Sequence, residues 1–182
     1  CPVNGPEVRI DLPREAVSLD MEGVELFAHL QSSSGGVADA ISVALPFISG
    51  PFLVLLGDNL LMTQHKGPKY SGPSYASDAS KMLVEEFNEK GLPCVGVYPV
   101  EPNELGKFGV VGLDGNRIVS LIEKPSETET PSNYVLCGRY IMPGNTKELL
   151  DRYPLTEFGE EQSIRILQHL MENKGLVAVK LD

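Results

Sequence analysis

The sequence predicts an α/β fold built on a mixed, mostly parallel sheet, and three stretches carry that expectation. Pro51-Phe-Leu-Val-Leu-Leu-Gly-Asp-Asn-Leu60 is a continuous apolar run that stops abruptly at Gly57, Asp58 and Asn59. The run is too short for a helix buried on all sides and suits a strand covered on both faces. Residues 77–99 read as a helix and then a second buried strand, which completes a strand–helix–strand unit. Such units cross over right-handedly onto a parallel sheet. Finally, Val24-Glu-Leu-Phe-Ala-His-Leu30 is apolar enough for a strand and runs into Gln31-Ser-Ser-Ser-Gly-Gly36, a polar turn that opens a helix.

Length and composition bound the rest. The chain has 182 residues, 42% apolar and 22% charged, which is ordinary for one globular domain with a real core. We therefore read residues 1–182 as a single domain. No run of about 18 apolar residues is present, so no membrane span is expected. The formal net charge of −10 argues against a nucleic-acid surface, which needs clustered Lys and Arg. An anionic small substrate is still compatible, because a few local cations in a cleft outweigh a distant field. Cys1, Cys94 and Cys137 form no CxxC pattern, and an odd count without a framework favours a reducing, cytoplasmic setting. Cys94 and Cys137 sit in apolar runs, where cysteine behaves as a small hydrophobe.

Taken in order, Cys1–Asp20 is rich in Pro and charge, with a short strand at Val8–Leu12. After the Gly-rich turn, a helix runs from Val37 to about Leu45 and is ended by Pro46. Met62–Tyr75 is long for a loop in a compact domain, which points to a lid or binding loop. It carries His65, Lys66 and Lys69, and His65 is read as a solvated loop residue rather than a ligand. Ser77 reads as the N-cap of a helix over Ala79–Glu89, with Met82, Leu83 and Phe87 inward and Gly91 as its stop. Pro93–Pro99 is the second buried strand. Lys107–Leu113 and Arg117–Glu123 alternate around Asp114-Gly115-Asn116, a hairpin signal. Pro125 ends the second arm and leaves Glu123 and Lys124 side by side. Ser132–Met142 is a further strand. Helices are expected at Thr146–Tyr153 and Glu160–Glu172, the second with Ile164, Leu167 and Met171 on one face. Gly175 caps it, and Leu176–Leu181 is the last strand.

The candidate polar residues fall at strand ends and turns: Gln31 with Gly36, Asp58 with Asn59, Gly109, and Glu123 with Lys124. In open α/β sheets ligands bind beyond the carboxyl ends of strands. A lone carboxylate there can hold a divalent cation on a phosphate. Glu123 can accept hydrogen bonds from sugar hydroxyls, and Lys124 offers a point charge for phosphate. Singly, each residue is ordinary turn or salt-bridge chemistry. Together they describe a phosphosugar site.

Five stretches make the reading specific. They are Gln31-Ser-Ser-Ser-Gly-Gly-Val-Ala-Asp-Ala40, Leu55-Leu-Gly-Asp-Asn59, Lys107-Phe-Gly-Val-Val111, Glu123-Lys-Pro125 and Ser132-Asn-Tyr-Val-Leu-Cys-Gly-Arg-Tyr140. In this order, over roughly residues 24 to 181, the sequence resembles the sugar-1-phosphate nucleotidyltransferases, and within them the glucose-1-phosphate uridylyl- and thymidylyltransferase branch. The resemblance implies a three-layer, Rossmann-like nucleotide-diphospho-sugar transferase fold. It implies that Gln31 and Gly36 read a pyrimidine base and that Asp58 holds a catalytic magnesium ion. It further implies that Asn59, Gly109 and Glu123 grip the sugar, that Lys124 binds its phosphate, and that Leu136 and Tyr140 wall the pocket. The implied substrates are a nucleoside triphosphate (UTP or dTTP) and a hexose 1-phosphate, with pyrophosphate as the second product, and a homo-oligomer is expected.

The sequence also departs from the family pattern. The Gly-rich GxGTRxxPxT loop that binds the triphosphate is not found, and the strand bearing a second metal-binding Asp would lie beyond Leu181. Gly159-Glu-Glu-Gln-Ser-Ile-Arg165 replaces an acidic, Thr-containing stretch. A non-catalytic regulatory or assembly subunit of the same fold is therefore the alternative. A glycosyltransferase fits less well, because Asn59-Leu60 offers no second carboxylate two residues after Asp58.

Overall fold

The computed structural model describes residues 29, 36–59, 61–63, 75–76, 78–126, 128–152 and 163–181. The features expected at Val8–Leu12, Gln31, His65, Lys66, Lys69 and Ser77 lie outside these residues, as does the strand expected at Val24–Leu30 except for His29. The described elements are α1 (Gly36–Ala44), β1 (Phe52–Leu55), β2 (Met62–Thr63), β3 (Tyr75–Ala76), α2 (Ala79–Lys90) and β4 (Cys94–Pro99). They continue with β5 (Gly109–Asp114), β6 (Arg117–Glu123), β7 (Tyr134–Met142), α3 (Thr146–Arg152), α4 (Ser163–Asn173) and β8 (Val177–Lys180). Short 3-10 turns at Leu45–Phe47 and Pro102–Lys107 follow α1 and precede β5.

Six strands form one sheet in the order β1-β7-β4-β8-β6-β5, and β5 also pairs with β7. The sheet is mixed, as expected, but its pairings are mostly antiparallel. Among the described residues β4–β8 is the parallel pair, while β1–β7, β4–β7, β5–β6, β5–β7 and β6–β8 are antiparallel. β1 and β4 do run in the same direction, with α2 between them in sequence. The reason they are not neighbours is that β7, from forty residues later, inserts between them.

The alternation of each strand sorts the core into two layers, one on each face of the sheet. Val95, Val97, Tyr140, Met142 and Ala178 face α1, α3 and α4, packing with Ala38, Ile41, Leu149, Leu167 and Leu170. Cys94, Ile141, Val177 and Val179 face α2, packing with Ala79 and Leu83. This gives the expected three layers. Full burial of a Leu or Val side chain contributes about 1.5–3 kcal/mol, so these two layers supply the main stabilisation.

Local signals explain most elements. Gly115 takes φ +62° in the two-residue turn between Asp114 and Arg117, as the hairpin pattern requires. α2 ends at Gly91, whose φ is +65° and whose N–H donates to Phe87 O at 2.7 Å. Gly175, at φ +91°, closes α4 by donating to Leu170 O at 2.9 Å. Three readings need correction. Asp78, not Ser77, occupies the N-cap position of α2, and it makes no side-chain cap bond. Met82 is 39% exposed, because the buried stripe of α2 runs through Ala79 and Leu83 instead. β1 is only half-buried and Leu55 is 54% exposed, because β1 lies at one end of the six-stranded sheet among the described residues. The two ends of the long loop after Asn59 pair as the antiparallel ribbon β2–β3.

Candidate active site

β7 has two edges. β4 pairs along one of them, from Tyr134 to Ile141. β1 and β5 must therefore share the other, β1 along Arg139–Met142 and β5 along Tyr134–Val135. Between them, at Leu136–Gly138, that edge has no strand partner among the described residues. The cleft opens at this break, with a volume of about 690 Å³.

All the sequence-predicted site residues that are described converge there: Gly36, Asp58, Asn59, Gly109, Glu123, Lys124, Leu136 and Tyr140 line the same cleft. Gln31 is outside the described residues. Lys107, Gly138 and Ile164 also line it and were not singled out. Their signals were weak: Lys107 and Gly138 lie inside the matching stretches, but Ile164 reads only as a core position of α4.

Asp58 comes from the turn that follows β1. Leu56 N–H donates to Gly138 O at 3.0 Å, and Asn59 N–H folds back to Leu56 O at 3.2 Å, so the chain reverses around Gly57-Asp58. Asp58 is exposed at the cleft, and its Oδ1 accepts from Asn59 Nδ2 at 2.8 Å. Gly138 makes this approach possible. Its φ is +68°, and a Cβ there would stand 2.9 Å from Asn59 Nδ2 and 3.0 Å from Leu56 Cβ. It lies in a bulge of β7, where three residues (Cys137–Arg139) oppose Gly96 alone on β4.

The opposite wall comes from the base of the β5–β6 hairpin, where Gly109 pairs with Glu123. A Cβ on Gly109 would lie 3.1 Å from Glu123 Oε2 and 3.1 Å from Leu136 Cδ1, so bare backbone forms the floor between them. Successive residues of a strand point to opposite faces. Glu123 and Lys124 nevertheless both line the cleft, because Lys124 leaves the strand with φ +45°. Its N–H donates to Phe108 O at 2.9 Å and fixes that turn. The two charges are 3.9 Å apart, with Glu123 36% and Lys124 61% exposed, so they form a solvated pair rather than a buried one. A non-glycine residue in the left-handed region carries a conformational cost of about 1–2 kcal/mol. Lys124→Gly should therefore leave stability unchanged or raise it by about 1 kcal/mol in thermal denaturation. A clear loss of stability would show instead that the lysine side chain holds the turn.

Cys94 and Cys137 do not line the cleft. Cys94 and Cys137 are fully buried, and burial pushes their thiols up to about 12 and about 11. Thiols so disfavoured as thiolates are poor nucleophiles. No group of three or more His, Cys, Asp or Glu side chains positioned to hold a metal occurs among the described residues. No helix among them is long and apolar enough to cross a membrane.

Residues 6–180 match the sequence profile of the family described as Nucleotidyl transferase. The chain belongs to this family. The family match starts at residue 6, earlier than the resemblance from residue 24 had indicated. A curated relative, the UTP–glucose-1-phosphate uridylyltransferase of Mycoplasma genitalium, is 25% identical over 173 residues, spanning 88% of this chain and 55% of the relative. A crystal structure of UDP-glucose pyrophosphorylase complexed with UDP-glucose superposes with a TM-score of 0.68 at 25% identity, covering 82% of this chain and 55% of that one. UDP-glucose pyrophosphorylase from Acinetobacter baumannii shares the fold at a TM-score of 0.74 and 21% identity, over 93% of this chain and 57% of its own. The chain thus spans about half the length of the relatives it matches.

Proposed function

We propose that this chain forms the sugar-1-phosphate part of a nucleotidyltransferase that joins a pyrimidine nucleoside triphosphate, UTP or dTTP, to glucose 1-phosphate. The observation that carries the reading is the convergence of Asp58, Asn59, Gly109, Glu123 and Lys124, from three separate segments, on one cleft. Relatives named for UTP and glucose 1-phosphate support the substrate class.

In this reading the oxygen of the sugar phosphate attacks the α-phosphorus of the triphosphate. The bond from that phosphorus to the β-phosphate oxygen breaks, and pyrophosphate leaves. Such a transfer asks for positioning and charge neutralisation more than for covalent chemistry. Glu123 accepts from sugar hydroxyls, and the carbonyl and bare face of Gly109 let the sugar ring come close. Asn59 offers its amide from the opposite wall, and Leu136 and Tyr140 cover the apolar faces of the ring. Lys124 sets a cation beside the sugar phosphate, and Gln31 and Gly36 read the base edge.

Magnesium fits Asp58. Oδ1 of Asp58 is occupied by Asn59, and among the described residues no side chain or backbone group donates to Oδ2. One hard carboxylate oxygen without a protein cage is what magnesium uses when substrate phosphates and waters fill its other positions. Bound there, the ion would neutralise charge on the phosphates of both substrates.

Release of pyrophosphate by the full-length protein, followed by a coupled assay, tests the reading. It should require glucose 1-phosphate, magnesium and either UTP or dTTP together. Absence of release with any nucleotide and sugar 1-phosphate pair contradicts it. So does transfer of the sugar to an acceptor. For the cleft floor, Gly109→Ala should weaken glucose 1-phosphate binding about tenfold, or ~1.4 kcal/mol, in calorimetric titration. Unchanged affinity would remove Gly109 from the sugar site.

A further inference from the structure

Arg139 follows Gly138 on β7 and is half-buried behind the cleft wall. It makes no ion pair among the described residues. Its guanidinium instead donates to three backbone carbonyls: Nη1 to Leu56 O and Gly138 O, each at 3.3 Å, and Nη2 to Asn59 O. Leu56 and Asn59 are the first and last residues of the turn that carries Asp58. Two of these bonds therefore tie down both ends of one four-residue turn, and the third ties the same group to the strand beneath. Hydrogen bonds from an ionised donor are stronger than those between neutral groups. A planar guanidinium reaches both carbonyls at once, which the single ammonium of lysine does not.

We infer that Arg139 is a positioning residue. It clamps the Leu56–Asn59 turn to β7 and so holds the Asp58 carboxylate and the Asn59 amide at the cleft. Its effect on the reaction passes through those two side chains, not through contact with substrate. The clamp itself stands on the geometry alone; its consequence for ligand binding rests on the proposed function.

Two measurements on the 182-residue chain separate these parts. Amide hydrogen exchange of the ligand-free protein should show Asn59 exchanging at least about tenfold faster in Arg139→Met, with Arg139→Lys intermediate. The amides of Val95 and Val97 in the sheet core should be unaffected. Unchanged exchange at Asn59 overturns the clamp. An equal acceleration at all amides also overturns it, since it would mean that Arg139 only stabilises the fold. The second measurement is titration with UDP-glucose, with and without magnesium chloride. Arg139→Met should weaken the magnesium-dependent part of binding about tenfold. In an Asp58→Asn background it should cause no further loss, because both changes remove one function. Additive losses would show that Arg139 acts independently of Asp58. If the parent chain binds no UDP-glucose, the proposed function fails, while hydrogen exchange still decides the clamp.

Discussion

Asp58→Asn is expected to lower the rate of nucleotidyl transfer roughly 10²–10³-fold or more, with thermal stability nearly unchanged. The substitution keeps the size and shape of the side chain and replaces the carboxylate by a neutral amide. In the proposed reading, magnesium and the substrate phosphates would thereby lose the anionic oxygen that Asp58 offers at this wall of the cleft. Asp58 is exposed, and its described side-chain bond is to the neighbouring Asn59, so the fold does not depend on its charge. Steady-state pyrophosphate release at varied magnesium concentration checks the prediction in the full-length protein. Activity and magnesium dependence equal to the parent would place the metal elsewhere.

Gly138→Ala is expected to destabilise the protein by about 2–4 kcal/mol and to weaken sugar binding as well. Two terms act together. The left-handed backbone at φ +68° disfavours any Cβ, and the added carbon would meet Asn59 Nδ2 at 2.9 Å and Leu56 Cβ at 3.0 Å. Gly91→Ala supplies the control, since Gly91 has a similar φ of +65° but nothing within 4 Å of the point where a methyl would stand. Urea denaturation of the two variants should show the larger loss at Gly138, the difference being the crowding at the Asp58 turn. Equal losses would mean that the turn gives way without strain, and that Gly138 does not define the shape of the cleft.

The part of this fold that local chemistry encodes was legible in the sequence. The Asp114-Gly115-Asn116 hairpin, the Gly91 and Gly175 helix stops and the buried run of β4 each follow from a residue type at a fixed spacing. The position of β7 was not legible. Its apolar run looks the same whether it pairs parallel or antiparallel, because a central strand is covered on both faces either way. That is why a mostly parallel sheet was expected. Met82 misled because a helix with an exposed apolar side chain has the same local period as one that buries it.

The candidate site divides along the same line. Asp58, Asn59, Glu123 and Lys124 announce themselves as polar residues closing apolar strands. Gly109 and Leu136 gain meaning from their order along the chain. Arg139 and Gly138 carry no such mark. Two of the three carbonyls that accept from Arg139 lie some 80 residues earlier in the chain, and a carbonyl has no residue type to recognise.

We propose that the cleft at the break between β1 and β5 receives a sugar phosphate. Chemical-shift mapping of the 182-residue chain titrated with UDP-glucose and magnesium chloride tests it most directly. Shifts should concentrate at Asp58, Asn59, Gly109, Glu123, Lys124 and Gly138, and leave Gly115 and Asn116, at the far end of the same hairpin, unmoved. Shifts centred on the Gly115-Asn116 turn, or none at millimolar ligand, would contradict the account.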